Sequence, residues 1–362
     1  MMVDGQENVD IDTGGGGQLV VELPPPNPTS LARLLFLHVL VPVLAPAFVL
    51  YKLASDPSFR SSFPRASRAL YSLVSDASER PISRAWYFRD ASLLRRLWES
   101  PSARAYCRVD DDGREEEEEE DDDDDDGRPR RMRRMRFLLR PLVEYQVREG
   151  YCGSATHRCV LRSLGLRSVA LPPQCSGESK PESWSERIVK MANDSSDGKL
   201  ALSTRIIRCG GDGDDDDEGF GYDEFVSALR GGLSNENVRV ACNFLRSGLM
   251  GFEGRGARYV PAYLLLSLLG GHFSPILGII DKEDDDAREE VGDVGEEEEE
   301  ERSDRREIDD DDEYPFVAIF DTNHKYGGVY FAPARRLYDA VRTVDVGSNR
   351  HRAIVLVEKM QL

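Results

Sequence analysis

What this sequence lacks narrows it first. Its six cysteines, at positions 107, 152, 159, 175, 209 and 242, include no Cys-x-x-Cys pair and no metal-finger spacing. A structural zinc finger is therefore not signalled. Six thiols in 362 residues are also too few for the framework of a disulfide-stapled fold, which points to a reducing compartment. Excess basic charge is missing as well. Asp and Glu total 67 against 47 Lys and Arg, a net charge of −20, and such a surface argues against nucleic acid as a partner. No internal repeat recurs.

The acidity comes in blocks, at 110–126, 212–218, 281–301 and 309–313. Runs of like charge repel, stay solvated and rarely pack. Residues 109–136, where the first block meets a basic run at 128–136, read as a charged linker; the basic run could also touch anionic lipid. Residues 211–218 and 281–313 read as acidic insertions in a globular part spanning 137–362. Residues 1–30, with Gly14-Gly15-Gly16-Gly17 and Pro24-Pro25-Pro26, read as a disordered tail.

One long apolar run stands at 31–54. It includes Leu34-Leu35-Phe36-Leu37, and at about 20 residues it is long enough to span a bilayer. A cleaved targeting segment or a buried helix also fits, but no basic stretch precedes it and no small-residue cleavage site follows. Read as a single-pass transmembrane helix, its basic flank is C-terminal: Lys52, Arg60, Arg65 and Arg68 place the bulk of the protein in the cytosol. Residues 55–108 read as a helical juxtamembrane segment with helices over 66–77 and 91–98. Trp86, Tyr87 and Trp98 suit either a membrane interface or packing on the globular part.

Within that globular part, Gln146-Val147-Arg148-Glu149-Gly150-Tyr151-Cys152-Gly153 leads into a helix. Ala155, Cys159, Val160, Ser163 and Leu164 recur at helical spacing, and Gly165 is a natural stop. A thiol at a helix start faces unpaired N–H groups and the positive end of the dipole, which favour the thiolate. Gln146 is close enough to turn an amide toward a carbonyl that Cys152 attacks. A cysteine before a helix also reads as a small buried residue.

The far end of the chain supplies partners. Gly270-Gly271-His272-Phe273-Ser274-Pro275 opens a strand, and Phe316-Val317-Ala318-Ile319-Phe320-Asp321 closes another with an acid. Cys152, His272 and Asp321 then form a complete set of nucleophile, base and orienter. His272 as a core histidine and Asp321 as a strand cap are the plainer alternatives. His157, His324 and His351 read as surface residues, Cys159 as core.

Helices are expected at 184–191 and 222–229. Strands are expected around 206–207 and at 238–244, 273–280, 316–320, 329–331 and 353–357. A leading helix followed by an antiparallel sheet is an α+β layout.

These segments resemble the phytochelatin synthases, the glutathione gamma-glutamylcysteinyltransferases of papain-like fold. Gln146, Tyr151-Cys152-Gly153, Gly271-His272-Phe273-Ser274-Pro275, Phe320-Asp321, Lys325-Tyr326 and Ala332-Pro333 carry the resemblance, over roughly 137 to 360. It implies a transpeptidase that passes the γ-glutamylcysteinyl group of glutathione to a second glutathione through a Cys152 acyl-enzyme. It implies Gln146 as oxyanion donor, and Tyr151, Gly153, Ser274, Lys325 and Tyr326 as substrate-binding positions. No tightly bound cofactor and no protein metal site are expected. Heavy-metal ions such as cadmium and zinc enter as glutathione thiolates or as activators, in keeping with soft-ligand preference. Lys325-Tyr326 lacks the two prolines that follow it in the family, and no cysteine-rich segment follows the last strand. A hydrolase that removes glycine from glutathione or its conjugates is the nearer alternative; a non-catalytic membrane adaptor is the other.

Overall fold

The computed structural model describes residues 8–12, 18–22, 41–57, 101–111, 134–138, 142–148, 150–166, 171–176, 180–196, 200–210, 219–250, 271–282, 314–324, 328–345 and 350–360, with scattered positions between 59 and 100. In chain order these form β1 (Asn8–Asp12), β2 (Gln18–Glu22), α1 (Val41–Ser55), α2 (Pro101–Ala105), β3 (Arg108–Asp111), β4 (Arg134–Leu138), α3 (Cys152–Ser163) and α4 (Pro181–Ser196). There follow β5 (Leu202–Arg208), α5 (Tyr222–Ser234), β6 (Val238–Phe244), α6 (Arg246–Met250), β7 (His272–Ile280), β8 (Phe316–Phe320) and β9 (Val329–Pro333). The last elements are α7 (Ala334–Val341), β10 (Val344–Asp345), β11 (Arg350–His351) and β12 (Ala353–Lys359).

Strand signals of the second half assemble into one sheet, in the order β5-β12-β6-β7-β8-β9, with every neighbouring pair antiparallel. The side-chain period of two splits each strand between cores. Val240, Cys242 and Phe244 of β6 join Ile354, Ile276, Val317 and Ile319 on one face. There Phe225 and Leu229 of α5 and Leu337 and Val341 of α7 cover them. Ala241, Phe273, Val355 and Val357 point the other way, onto Val160, Trp184 and Ile188 of α3 and α4. With both faces covered, β6 and β8 are buried along their whole length; β8 reads as an unbroken apolar run, and β6 as an apolar run that buries Arg239 and Asn243 within it. This is an α+β architecture.

The α3 helix is set at both ends by glycine. Gly150 adopts φ +81°, turning the chain into Tyr151 and the first helical residue, Cys152. Beyond Ser163, the Gly165 N–H donates to Arg162 O at 3.2 Å and Leu166 N–H to Leu161 O at 3.1 Å. That is a Schellman stop, with Gly165 at φ +121° and Leu161 packed in the same cluster as Leu166. The positions picked for helical periodicity, Ala155, Cys159, Val160, Ser163 and Leu164, are all buried.

Three expectations are corrected or bounded here. Leu93, Leu97, Trp98, Ala103, Tyr106 and Cys107 form one cluster with Leu277, Ala318, Phe320 and Phe331, so this stretch packs on the sheet and belongs to the globular unit. Gly278 shows how tightly: a Cβ there would come within 2.6 Å of Leu97 Cδ1. Second, parts of the regions read as a disordered tail and a charged linker carry strands, in a sheet of order β1-β2-β4-β3. The antiparallel register sets Asp110 opposite Arg136. Third, α1 covers only the latter part of the apolar run, and residues 31–40 lie outside the described residues. Among the described residues no helix is long and apolar enough to cross a membrane.

Candidate active site

Antiparallel pairing brings strand ends together that are far apart in sequence. β7 starts where β6 ends, with Phe244 registered on His272. It runs antiparallel to β8, so the residue after β8, Asp321, lies at that same edge. α3 packs against β7 and delivers Cys152 there. Cys152, His272 and Asp321 therefore meet. His272 Nε2 is 2.9 Å from Asp321 Oδ1, and the His272 ring acts on the Cys152 thiol. The Phe244 and His272 rings stand edge to face at 5.4 Å.

The electrostatics form one connected set. Burial pushes the Cys152 thiol up, but its hydrogen bond to His272, the His272 charge, a backbone bond from Phe273 and the Arg246 charge outweigh that, leaving it below the usual thiol range. Burial and Arg246 push His272 down, yet Asp321 and Cys152 together leave it raised above an ordinary histidine. Burial raises Asp321, while Arg246, His272 and the Asn323 N–H at 2.8 Å hold it below the usual carboxylate range. Low thiol and high imidazole are the directions of a thiolate–imidazolium pair.

Gln146 sits in a segment clamped on two sides. Its backbone N–H donates to Thr322 O at 2.7 Å, one residue past Asp321. Just before it, Glu144 pairs with Arg158 and Arg162 of α3, and Gln174 bridges Glu144, Tyr145 and Val147. The Gln146 side chain is itself buried. This fixes its backbone beside the strand end that carries Asp321.

Other expected positions divide. Tyr151 is half-buried at the helix start. Gly153 is buried, its carbonyl accepting the Trp184 Nε1–H at 3.0 Å. Ser274 is fully buried with Oγ 3.0 Å from His272 Nε2, so its hydroxyl addresses the imidazole, and the expected substrate contact gives way to a place behind the base. Lys325 and Tyr326 lie outside the described residues. Among the described residues no group of three or more His, Cys, Asp and Glu gathers as a metal site.

Two residues differ from, or escape, the sequence reading. His157, expected at the surface, is buried, stacked on Trp184 at 4.3 Å with Nε2 2.7 Å from the Trp184 carbonyl. Trp184 in turn stacks on Phe273 at 5.3 Å, beside His272. Arg246 was signalled by nothing. Its Nη2 is 3.0 Å from Asp321 Oδ1 and 2.7 and 2.6 Å from the two His272 nitrogens. Only the β6–β7 register, which sets the end of β6 beside His272, could have disclosed it.

No protein-family model matches this sequence, and no curated protein matches it either.

Proposed function

We propose that this protein is a papain-type cysteine acyltransferase acting on glutathione, of the kind the phytochelatin synthases represent. The observation that carries the reading is the buried grouping of Cys152, first residue of its helix, with His272 and Asp321, in which His272 Nε2 is 2.9 Å from Asp321 Oδ1 and the imidazole favours the Cys152 thiolate. The substrate class comes from the resemblance of the segments around those residues.

In this reading the reaction runs through the residues of the site. The Cys152 thiolate attacks the cysteinyl carbonyl of glutathione. The backbone N–H of Cys152, first in its helix and without an intrahelical acceptor, and the Gln146 amide receive the oxyanion. Each such donor is worth about 3 kcal/mol. The His272 imidazolium delivers its proton to the departing glycine nitrogen, and a γ-glutamylcysteinyl thioester remains on Cys152. The amine of a second glutathione then attacks the thioester, losing its proton to His272, and the thiolate is restored. Asp321 keeps the Nε2–H tautomer, so Nδ1 is the nitrogen that exchanges protons with sulfur and substrate. Cadmium or zinc enters as a glutathione thiolate and is substrate, not resident cofactor.

Water in place of the second amine turns the same chain into a glycine-releasing hydrolase. The absence of the family's two prolines after Lys325-Tyr326, a segment expected to receive the acceptor, favours keeping that second reading. Incubating the full chain with glutathione and cadmium, and resolving products by mass, separates the cases. Oligomers of γ-Glu-Cys are the expected result, and Cys152→Ser yields none. γ-Glu-Cys alone selects the hydrolase. Unchanged glutathione from folded protein overturns both and returns the chain to a non-catalytic adaptor.

A further inference from the structure

We propose that Arg246 is a fourth member of this site: a positioning cation that holds Asp321 and sets the charge state in which Cys152 and His272 rest. The inference rests on the thiol–imidazole reading above, but not on the identity of the substrate.

Arg246 is the first residue of α6, two residues past Phe244, the strand end that registers on His272. Its side chain is mostly buried, against an Asp321 that is wholly so. Asp321 Oδ1 receives three donors: Arg246 Nη2–H at 3.0 Å, the Asn323 N–H at 2.8 Å and His272 Nε2–H at 2.9 Å. Three donors on one oxygen keep the carboxylate ionised and leave it little freedom to rotate.

The contact with the imidazole has a further consequence. Arg246 Nη2 stands 2.7 Å from Nδ1 and 2.6 Å from Nε2, so the guanidinium charge faces the ring as a whole, whichever nitrogen carries the proton. Protonating His272 sets two cations against each other. Arg246 thus opposes the imidazolium while favouring the thiolate. An imidazolium pressed in this way is a stronger acid toward a departing amine.

The titratable or charged groups acting on His272 are Cys152 from α3, Asp321 after β8 and Arg246 from α6. Arg246 pulls the proton affinity of all three downward.

The test reads the thiol with no substrate present: the rate of Cys152 alkylation by iodoacetamide across pH. In Arg246→Gln the ascending limb is expected to move up by about one pH unit, so that alkylation on the wild-type limb slows about ten-fold. Arg246→Lys, which keeps the charge, is expected to return the limb most of the way. A limb that stays put in Arg246→Gln, or that is the same in Gln and Lys variants, overturns the proposal. Should Arg246→Gln not fold, Asp321→Asn is compared with Arg246→Gln/Asp321→Asn, in which no buried charge is left unpaired. The limb of the double variant must then lie at higher pH than that of Asp321→Asn; coincidence rejects the role. Glutathione turnover plays no part in either measurement, so failure of the acyltransfer reading and failure of this one are told apart.

Discussion

Cys152 is only 9% exposed yet its thiol is shifted toward the anion, and that combination separates it from its neighbours. Burial, joined by the Glu144 charge at Cys159 and by Cys209 at Cys242, pushes Cys159 and Cys209 up to about 12 and raises Cys242 as well, and no cation offsets it fully. A short pulse of iodoacetamide near pH 6, followed by peptide mass mapping, is therefore expected to label Cys152 ahead of those three. Labelling of Cys159 first would remove the special status of Cys152. The pH dependence of stability has two limbs here. Asp321 is held below its unfolded value, so its contribution is present above about 3.9 and lost as pH falls through the folded value. His272 is held above its unfolded value, so its contribution is complete below about 6.5 and lost as pH rises through the folded value. Asp321→Asn is expected to flatten the acid limb in urea unfolding, and to lower kcat by roughly two to four orders of magnitude through loss of the tautomer. A variant with wild-type kcat would detach Asp321 from the base.

At the scale of elements, the α3 helix was legible because its signals are local. Gly165 marks its end, and Gly165→Ala tests this: at φ +121° a Cβ is strained, with a cost of about 1–2 kcal/mol in denaturant unfolding. An unchanged midpoint would mean the stop is made elsewhere. β6 and β8 were legible in full: β8 is an unbroken apolar run, and in β6 Val238, Val240, Ala241, Cys242 and Phe244 outweigh the buried Arg239 and Asn243. β5 was legible only at Ile206-Ile207. The polar Ser203, Thr204 and Arg205 before them, half-buried or exposed, hide the strand's length. Neither α6 nor α7 was legible. α7 begins on the residue after β9 ends, with Pro333 as its cap, and leaves no intervening turn to read. Partnership across strands was hidden too. Cys152, His272 and Asp321 could be chosen by their places at element edges, but Arg246 becomes visible only through the Phe244–His272 register. His157 misled because a buried polar ring was unforeseeable without the Trp184 carbonyl that receives it.

For the whole molecule, two boundaries can be tested. The acidic stretch between β7 and β8 interrupts the chain between His272 and Asp321 but not the pairing of their strands, which continues from Ile276–Ile319 to Ile280–Phe316. Loop-closure entropy grows only by about 0.6 kcal/mol per doubling, so replacing 284–311 with a short Gly-Ser link is expected to stabilise by no more than about 2 kcal/mol. Thermal unfolding and glutathione turnover check it, and lost turnover would give the insertion a role in the site. The N-terminal boundary is the sharper case. A charged run ending at 136 suggests a domain that starts at 137, but Leu97, Trp98, Ala103 and Tyr106 are fully or almost fully buried against Leu277, Ala318 and Phe320. Stripping them away uncovers that side of the sheet. At about 1.5–3 kcal/mol for each large apolar side chain, the loss approaches the whole stability of a domain, about 5–15 kcal/mol. A chain beginning at residue 137 is therefore expected to be insoluble or to unfold without cooperativity, whereas one beginning at residue 91 and keeping 109–136 should unfold in a single transition and retain rapid Cys152 alkylation. Cooperative unfolding of the shorter chain would mean that 93–107 merely rests on the sheet, and that the thiol site stands without it.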